Sequence, residues 1–364
     1  NYKGKEHPNY DCLIPVSGTG DDFYVVDLIK NTYGLNPLLV SYNTHYSTEV
    51  GVRNLSRLCS ELDCDHILYT VGPETVKKIT KITLEKMGHV YWHVLAGQLT
   101  FPVQVGTKLD IPLIIWGVNS WSDQVGMFSH LDAVEMTKKV RKEHGLKMLD
   151  AEGLKGIDPT LSDKDLMAFT YPTDTQLEKH AVRGVYLSNY FKWDSQAQIE
   201  RMIKKYGYET EKQQRTFNTY ETVHCNVVDG VHDYLKFLKF GYGKATDHAC
   251  RDIRLKRMSR EKALDLVEAY DHLRPDGVEE FCNWLGVSED FLFKCIEPFR
   301  DKNAWDKSSG EWKLVLANDR RESMDSPLVD EVSLEVDDIR EYMETDLVEK
   351  TTGKFIVTGR AYID

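Results

Sequence analysis

A short polar loop near the start of the chain has the residue types that bind a phosphate group. Ser17–Asp22 (SGTGDD) follows the apolar run Asp11–Val16 and precedes a segment with helical spacing. A loop between a parallel strand and a helix offers backbone N–H groups and the positive helix end to an anion. The two glycines allow close backbone approach, and the Ser and Thr add hydroxyl donors. The pattern therefore predicts a phosphate nest.

Two adjacent carboxylates in this loop complicate that interpretation. Asp21 and Asp22 would repel a polyphosphate unless one caps the helix and the other holds a Mg²⁺ ion. The loop lacks the Gly-Lys-Ser/Thr end of a Walker A motif, and Phe23 excludes G-x-G-x-x-G. A glycine-rich turn with an Asp cap explains the same residues, so both interpretations stay open on the loop alone.

A basic segment surrounds the glycine-containing turn at residues 240–243. In an acidic protein such a segment suits the phosphates or carboxylate of a sugar nucleotide, but a solvated helix face has the same composition. Its candidate ligand-binding residues are Lys236, Lys239, Tyr242, Lys244, Arg251 and Arg254.

Two histidines are further candidates for chemistry. Asp247 and His248 are adjacent, and a carboxylate can orient a histidine for acid–base catalysis. A buried hydrogen-bonded pair is the simpler explanation. Trp92 and His93 lie on a glycine-containing segment ahead of a predicted strand, where an aromatic ring either stacks on a ligand or packs in the core.

The elements that would position these residues alternate between β-rich runs and helical patterns, which indicates βαβ units around a parallel sheet. The predicted strands are Asp11–Val16, Leu38–Tyr42, His66–Thr70, Ile111–Trp116 and Arg183–Ser188. After the helix that follows the loop, the predicted helices are Val50–Leu62, Pro73–Met87, Asp132–His144, a helix capped by Asp194 and ending at Tyr206, Gly230–Phe240, Ser259–Tyr270, Gly277–Leu285 and Ser288–Phe299.

Three regions follow from this succession. We expect an α/β nucleotide-binding domain over residues 1–190, a helical substrate lobe over 191–300, and an acidic extension over 301–364. The near-continuous apolar content of Ile111–Trp116 places that strand inside the sheet.

The overall composition excludes several classes of protein. The chain has 58 acidic and 46 basic residues and a formal charge of −12, which disfavours nucleic acid as a partner. No apolar run approaches the roughly 18 residues that span a bilayer. The seven cysteines form no C-x-x-C pair, so we expect reduced thiols, no structural zinc and a cytoplasmic location.

Several segments resemble one family in order along the chain. The opening stretch from Asp11 to Tyr42, IPLIIWG at 111–117, RTFNTY at 215–220 and HDYLKFLKFGYGKATDHACRDIR at 232–254 resemble the N-acetyl sugar amidotransferases of the PP-loop ATP pyrophosphatase superfamily. The family loop usually reads Ser-Gly-Gly-x-Asp-Ser. Thr19 stands here for a Gly and Asp22 for the final Ser.

Two further positions differ from the family pattern. The family commonly has Cys-Trp-His-Cys where this chain has Tyr91-Trp92-His93-Val94, and Gly-Glu-Asn where it has Gly117-Val118-Asn119. A metal site built from those two cysteines is therefore not expected.

The resemblance implies a PP-loop (HUP-type, Rossmann-like) α/β fold with a helical C-terminal lobe, and a specific reaction. The carbonyl oxygen of an N-acetyl sugar would be activated by adenylylation with ATP and Mg²⁺, pyrophosphate would leave, and ammonia would give an acetamidino sugar for surface polysaccharide such as O-antigen. The partners implied are an acetamido sugar or sugar nucleotide and a glutaminase that supplies ammonia, because the chain has no obvious catalytic cysteine of its own.

The resemblance also assigns residues to roles. The implied catalytic residues are Ser17, Asp21, His93, Asp247 and His248, with Asp21 also assisting Mg²⁺. The implied ATP-binding residues are Ser17, Gly18, Thr19, Gly20, Asp21, Asp22, Ser41, Tyr42, Asn43, Gly117 and Asn119. The implied sugar-binding residues are Trp92 and the basic-segment residues named above.

Two other functions remain open. One is a nucleotide-binding or scaffold protein that kept the fold after losing the chemistry, for which Thr19, Asp22 and Val118 are the evidence. The other is a PP-loop enzyme with a different substrate. If nucleotide binds, we expect it at the carboxyl ends of the first, second and fourth strands.

Overall fold

A five-stranded parallel sheet is the centre of the first half of the chain. The computed structural model describes residues 2–4, 9–119, 135–138 and 140–315. The strands are β1 (Cys12–Pro15), β2 (Pro37–Tyr42), β3 (His66–Tyr69), β4 (Leu113–Trp116) and β5 (Arg183–Tyr186). They lie in the order β3-β2-β1-β4-β5, and every neighbouring pair is parallel. The predicted α/β class with a parallel sheet is confirmed.

The strand order creates a crevice beside β1. The chain builds outward from β1 through β2 to β3 and then returns to the other side of β1 with β4. Connections that leave β1 and β4 therefore run in opposite directions, and open parallel sheets bind ligands outside the carboxyl ends of such strands. The loop at Ser17 follows β1 and so lies at this crevice.

Four α-helices connect the first four strands, and a π-helical segment, Leu28–Thr32, continues the first of them. The α-helices are α1 (Gly20–Asp27), α2 (Glu49–Glu61), α3 (Pro73–Met87) and α4 (Trp92–Leu109). The Thr48 hydroxyl caps α2 by accepting from the backbone N–H of Gly51. α3 has the predicted bounds, with Pro73 in its first turn, and Gly88 follows its end in the left-handed conformation.

The sequence analysis does not predict α4. Its interior contains Gly97, Pro102 and Gly106, residues that lower helix propensity. Packing overrides that propensity, because a Cβ at residue 97 would lie 2.5 Å from the Tyr42 ring and one at residue 106 would lie 3.0 Å from a backbone oxygen. The glycines therefore let α4 approach the sheet closely.

The segment between β4 and β5 differs from its predicted helix. Part of the predicted helix Asp132–His144 lies outside the described residues. Glu135 forms an antiparallel bridge with Val185 of β5 and an ion pair with Arg183, so residues 135–137 are not helical. A single π-helical turn follows at Val140–Gly145. Three short helices then lead to β5, namely α5 (Ala151–Ile157), α6 (Asp163–Leu166) and α7 (Asp174–Lys179).

The rest of the described chain is mostly helical, as predicted. The helices are α8 (Ser195–Tyr206), α9 (Asn226–Phe240), α10 (Lys244–Arg254), α11 (Arg260–Tyr270), α12 (Val278–Leu285) and α13 (Glu289–Ile296), and a small hairpin, β6 (Trp305–Asp306) and β7 (Lys313–Leu314), follows. Asp194 caps α8 through the backbone N–H of Ala197, as predicted, whereas α10 was not predicted.

Hydrophobic contacts join these helices to the sheet region. On α1, the Phe23 ring contacts the rings of Tyr206 and Tyr208 at centroid distances of 6.2 and 5.6 Å. A second cluster combines Leu84 of α3 with Leu235 of α9. The expected division of the chain near residue 190 stays a prediction, and α8 packs against the sheet region by way of α1.

Candidate functional site

The helix after β1 begins inside the predicted loop. α1 starts at Gly20 rather than beyond Asp22, and Thr19 is its N-cap. The Thr19 hydroxyl accepts from the Asp22 backbone N–H at 3.3 Å, and the Asp22 carboxylate accepts from the Thr19 backbone N–H at 2.9 Å. This reciprocal arrangement is a capping box. The predicted loop is therefore only three residues long, from Ser17 to Thr19.

One carboxylate oxygen of Asp22 occupies the anion-binding face of this loop. It accepts from the backbone N–H groups of Ser17, Gly18 and Thr19 at 2.7, 2.9 and 2.9 Å. The Ser17 hydroxyl adds a fourth contact at 3.2 Å. These are the donors that the sequence analysis assigns to phosphate. A phosphate oxygen can reach them only when the Asp22 side chain is elsewhere.

The two glycines of the motif are required by packing against neighbouring helices. Gly18 has φ +87°, and a Cβ there would lie 3.0 Å from Leu55 of α2. A Cβ at Gly20 would lie 2.5 Å from Ile199 of α8. Neither Gly18 nor Gly20 lines the cavity described next. Their part in ATP binding stays a prediction, and helix packing is sufficient to explain both residues.

A cavity of about 420 Å³ lies beside the loop, at the carboxyl ends of β1, β2 and β4. Its volume is in the range of small-molecule sites. From the sheet side it is lined by Ser17, Thr19, Asp21, Asp22, Tyr42, Gly117, Asn119 and Tyr186. From the C-terminal half it is lined by Ser195, Tyr220, Glu221, Thr222, His224, Cys225, Asp229 and Arg251. The two halves of the chain thus form one cavity.

Asp21 faces this cavity, whereas Ser41 and Asn43, two of the predicted ATP-binding residues, do not. The Asp21 carboxylate accepts a hydrogen bond from the Ser195 hydroxyl at 3.2 Å. Ser41 is buried, donates to the Val16 carbonyl at 2.6 Å and lies 2.8 Å from His66. Asn43 is a turn residue whose amide donates to the Thr70 hydroxyl at 3.0 Å. Ser41 and Asn43 therefore hold neighbouring strands together.

Trp92 and His93 are core residues, which corrects their expected contact with substrate. The Trp92 indole donates to the Leu149 carbonyl at 2.8 Å, and the residue is 1% exposed. Both His93 ring nitrogens lie 3.1 Å from tyrosine hydroxyls, one from Tyr42 and one from Tyr46. Burial lowers the pKa of His93 to about 3, so the ring is neutral at physiological pH. His93 positions Tyr42 in the cavity wall.

The predicted pairing of Asp247 with His248 is wrong, because each residue contacts other side chains. Adjacent residues on a helix point in different directions. Asp247 pairs with Lys236, while His248 contacts the Thr216 hydroxyl at 2.7 Å and Glu221 at 2.9 Å. Neither Asp247 nor His248 lines the cavity.

Glu221 is the centre of a buried polar network that the sequence analysis does not identify. Arg251 lies 2.7 Å from its carboxylate, and His248 contacts the other oxygen. Burial alone would raise the pKa of Glu221, but the charges and hydrogen bonds of His248 and Arg251 outweigh it and lower that pKa to about 2. Glu221 and Arg251 therefore form a fixed charged wall of the cavity.

The predicted basic segment does not form one patch. Lys244 pairs with Asp229 and donates to the Thr222 hydroxyl at 3.0 Å, so its charge is offset within the protein. Arg254 is exposed at the end of α10. Among the six predicted residues of the segment, only Arg251 lines the cavity. The remaining members, Lys236, Lys239 and Tyr242, lie on or just after α9.

His224 is another cavity residue that sequence reasoning missed. It is 9% exposed, and its Nδ1 atom has no hydrogen-bond partner among the residues that the structure describes. Burial lowers the pKa of His224 to about 4, although the nearby Asp22 charge opposes that change. The polar run Glu221–Cys225 between the RTFNTY segment and α9 was the available signal, since a dense group of polar residues at a helix start is frequently functional.

No group of three or more His, Cys, Asp or Glu side chains in the described part of the chain is arranged to hold a metal ion. Within the same residues no helix has the length and apolar content needed to cross a bilayer.

Comparison with known proteins gives one family match. Residues 200–318, about a third of the chain, match the model of the "LPS biosynthesis protein WbpG-like, C-terminal domain". This region contributes Glu221, Asp229 and Arg251 to the cavity. No curated protein matches the chain.

Two solved structures are similar to part of this chain. The NMN synthetase from Francisella tularensis is 12% identical, and the match covers 54% of this chain and 87% of that one with a TM-score of 0.26. A predicted subunit of tRNA methyltransferase from Methanocaldococcus jannaschii DSM is 16% identical, with 54% and 88% covered and a TM-score of 0.23.

Proposed function

We propose that this chain is a cytoplasmic ATP-dependent amidotransferase that converts an N-acetyl sugar into an acetamidino sugar for surface-polysaccharide biosynthesis. The observation that carries the proposal is the shared cavity. Residues of the loop after β1 and polar residues of the region similar to an LPS biosynthesis domain line the same space. A group transfer needs both reactants held together in one volume, which such a cavity provides.

Side chains from both halves would orient the sugar. Asn119, Asp229 and Arg251 lie in the cavity wall and offer hydrogen bonds to sugar hydroxyls. Tyr42 and Tyr186 supply aromatic faces for the apolar side of the ring. Because Glu221 already holds Arg251, the guanidinium would keep its position when substrate binds.

ATP, with Mg²⁺, would convert the amide oxygen into a leaving group. The cavity volume suits part of a nucleotide, and Asp21 is the residue that we assign to the metal ion. The loop itself does not accept pyrophosphate while the Asp22 carboxylate occupies its N–H donors. We therefore assign no reaction step to the loop in this arrangement, and ATP use requires movement of the Asp22 side chain.

Ammonia would come from a partner glutaminase. Cys225 is the cysteine that lines the cavity, and its sulfur lies 3.2 Å from the Tyr91 hydroxyl. Burial raises the pKa of the Cys225 thiol, so it is protonated at neutral pH and a poor nucleophile. Cys225 therefore does not serve as a glutaminase nucleophile.

Pyrophosphate release tests the proposal. The purified chain is incubated with Mg·ATP, ammonium and a panel of acetamido sugars and sugar nucleotides, in parallel with Asp22→Ser. We expect pyrophosphate release that requires both ammonium and one of the sugars, and mass spectrometry that detects replacement of the carbonyl oxygen by nitrogen. If neither protein releases pyrophosphate with any of the sugars, the proposal is contradicted.

A nucleotide-binding or scaffold protein is the second candidate, supported by the Asp22 carboxylate in the loop. In that case the Asp22 carboxylate stabilises the loop at the position where a PP-loop enzyme would bind ATP. Calorimetry separates the two functions. ATP binding without turnover, in the parent and in Asp22→Ser, would favour the scaffold.

A further inference from the structure

An open groove lies outside the cavity, beside α10 and α11. We call it the α10–α11 groove, and six of its lining residues are Phe217, Asp252, Arg257, Met258, Lys262 and Leu266. It shares no lining residue with the cavity. Arg251 lines the cavity and Asp252 lines the groove, because adjacent residues of a helix point in different directions. The groove is therefore a separate candidate site.

Local structure fixes the residues that form this groove. The backbone N–H of Arg257 donates to the Asp252 carbonyl at 2.8 Å, which holds the turn after α10. The Ser259 hydroxyl then caps α11 by accepting from the Lys262 backbone N–H at 3.3 Å. Lys262 and Leu266 are four residues apart on α11, so they share one face of that helix.

Asp252 supplies a buried carboxylate that lacks a donor. The residue is 8% exposed, and its Oδ1 atom has no hydrogen-bond partner among the described residues. The Arg257 guanidinium lies 4.0 Å from that oxygen, too far for a hydrogen bond, and is paired with Asp194. Burial raises the pKa of Asp252, although the charges of Arg251 and Arg257 oppose this. A buried carboxylate of this kind is costly until a donor reaches it.

The groove also offers a positive charge and an apolar floor. Lys262 is exposed, and no carboxylate of the described residues lies within ion-pair distance of it. Phe217, Met258 and Leu266 are half-buried and supply the apolar surface. Phe217 and Met258 pack on a buried cluster formed by residues of α10 and α11, which holds them in place. The two charges and the apolar surface therefore line one groove.

This combination matches a small zwitterion with an apolar body. An ammonium group carries three donors and a positive charge, which Asp252 needs. An α-amino acid has its ammonium and carboxylate on one carbon atom, so with the ammonium on Asp252 its carboxylate would lie toward Arg257 and Lys262. Its side chain would cover the apolar floor. Sugars and nucleotides carry no such ammonium group.

We propose that the α10–α11 groove binds an α-amino acid with an apolar side chain. Asp252 holds the ammonium group, Lys262 and Arg257 hold the carboxylate, and Phe217 and Leu266 contact the side chain. The proposal uses no residue of the cavity. It therefore stands or falls independently of the proposed function.

Ligand-observed NMR titrations on the full chain test this proposal with leucine, methionine and phenylalanine. Three analogues of leucine each lack one of the recognised groups: N-acetyl-leucine lacks the ammonium, 3-methylbutylamine lacks the carboxylate, and glycine lacks the apolar side chain. We expect at least one of the three apolar amino acids to bind at millimolar concentration or below. Where leucine binds, each analogue should bind at least about fivefold more weakly.

Two variants locate the binding. Asp252→Asn keeps the shape of the side chain and removes its charge, so it should weaken amino-acid binding at least about fivefold. Lys262→Ala, at an exposed position, should weaken it about two- to fivefold. Lys204→Ala, exposed near the far end of α8, is the matched control and should change nothing.

Three results would each contradict the proposal. They are no binding of leucine, methionine or phenylalanine, equal affinity for leucine and N-acetyl-leucine, and unchanged affinity in both Asp252→Asn and Lys262→Ala. If Asp252→Asn does not fold, the analogues and Lys262→Ala decide the question. None of these titrations needs turnover or ATP, so their outcome is distinct from that of the pyrophosphate-release assay.

Discussion

At the scale of single residues, Asp22 has the largest effect on what the loop can bind. Its carboxylate accepts three backbone N–H groups and one hydroxyl, all within 3.2 Å. Charge-assisted hydrogen bonds of this kind are stronger than neutral ones. Asp22 therefore both stabilises the start of α1 and competes with any phosphate for the same donors.

Asp22→Ser should separate these two effects. Loss of the carboxylate removes several hydrogen bonds and lowers the free energy of unfolding by about 1–2 kcal/mol. The same change frees the N–H donors, so affinity for Mg·ATP should rise. Asp21→Asn is the comparison, because it removes the cavity-facing charge and should weaken Mg²⁺-dependent binding about ten- to a hundredfold. Urea unfolding and titration calorimetry measure both. A loop that gains no affinity in Asp22→Ser and loses none in Asp21→Asn is not a nucleotide site.

Glu221 gives a prediction with a defined pH range. Its folded pKa of about 2 lies below its ordinary value of 4.5, so its contribution to stability is complete above pH 4.5 and is lost as the pH falls toward 2. Glu221→Gln should lower the free energy of unfolding by about 3–5 kcal/mol at pH 7, since it removes a charged partner of the buried Arg251 and His248.

Denaturation at pH 7 and pH 3 checks the Glu221 prediction. The difference between Glu221→Gln and the parent should shrink at pH 3, where the parent carboxylate begins to protonate. Glu280→Gln, at an exposed position of α12, is the control and should show no such pH dependence. An equal difference at both pH values would mean that the charge of Glu221 is not what stabilises the network.

At the scale of helices and strands, local signals predicted most elements and tertiary contacts determined the rest. Apolar runs located all five parallel strands, and capping residues located the starts of α8, α11 and α13. α4 was missed because its glycines have a packing role that no local rule reveals. The sequence left open a phosphate nest and a turn with an Asp cap, and the capping box of Asp22 matches the second; which of the two carboxylates caps depends on side-chain geometry that the sequence does not show.

The glycines of α4 allow a direct test of whether tertiary packing outweighs helix propensity. Gly97→Ala should destabilise the protein by about 1–3 kcal/mol, because the new methyl would lie 2.5 Å from the Tyr42 ring. Gly156→Ala, in α5, meets no atom of the described residues within 4 Å and should stabilise by about 0.5–1 kcal/mol. Thermal unfolding of both variants measures the two effects. Stabilisation by both substitutions would mean that α4 does not need its close approach to the sheet.

At the scale of the whole molecule, the sheet order and the C-terminal helices together create the cavity. β1 and β4 lie side by side at the crevice, and Glu221 and Arg251 close it from residues far along the chain. The sequence predicted the sheet half of this site from Ser17, Asp21, Gly117 and nearby residues. From the other half it predicted Arg251 but not Glu221, His224 or Asp229, because contacts between distant segments leave no periodic signal.

The shared hydrophobic clusters predict cooperative unfolding. Leu235 is 1% exposed and packs in a cluster that also contains residues of α3 and α4. Leu235→Ala should therefore lower the free energy of unfolding by about 2–5 kcal/mol. Far-ultraviolet circular dichroism and tryptophan fluorescence should report one shared transition. Its midpoint should lie at a lower urea concentration than in the parent. Two separate transitions, with only one shifted, would instead support independent folding on either side of residue 190.

The hydrogen bonds that Asp22 makes in the loop also set the population of molecules ready to bind nucleotide. A ligand that needs Asp22 outside the loop has a measured Kd equal to its intrinsic Kd divided by the fraction of open molecules. A closed arrangement favoured by about 1.4–2.8 kcal/mol leaves roughly 1–10% of molecules open and weakens affinity about ten- to a hundredfold. Any second substrate or partner that stabilises the open rotamer would restore that affinity without contacting the nucleotide.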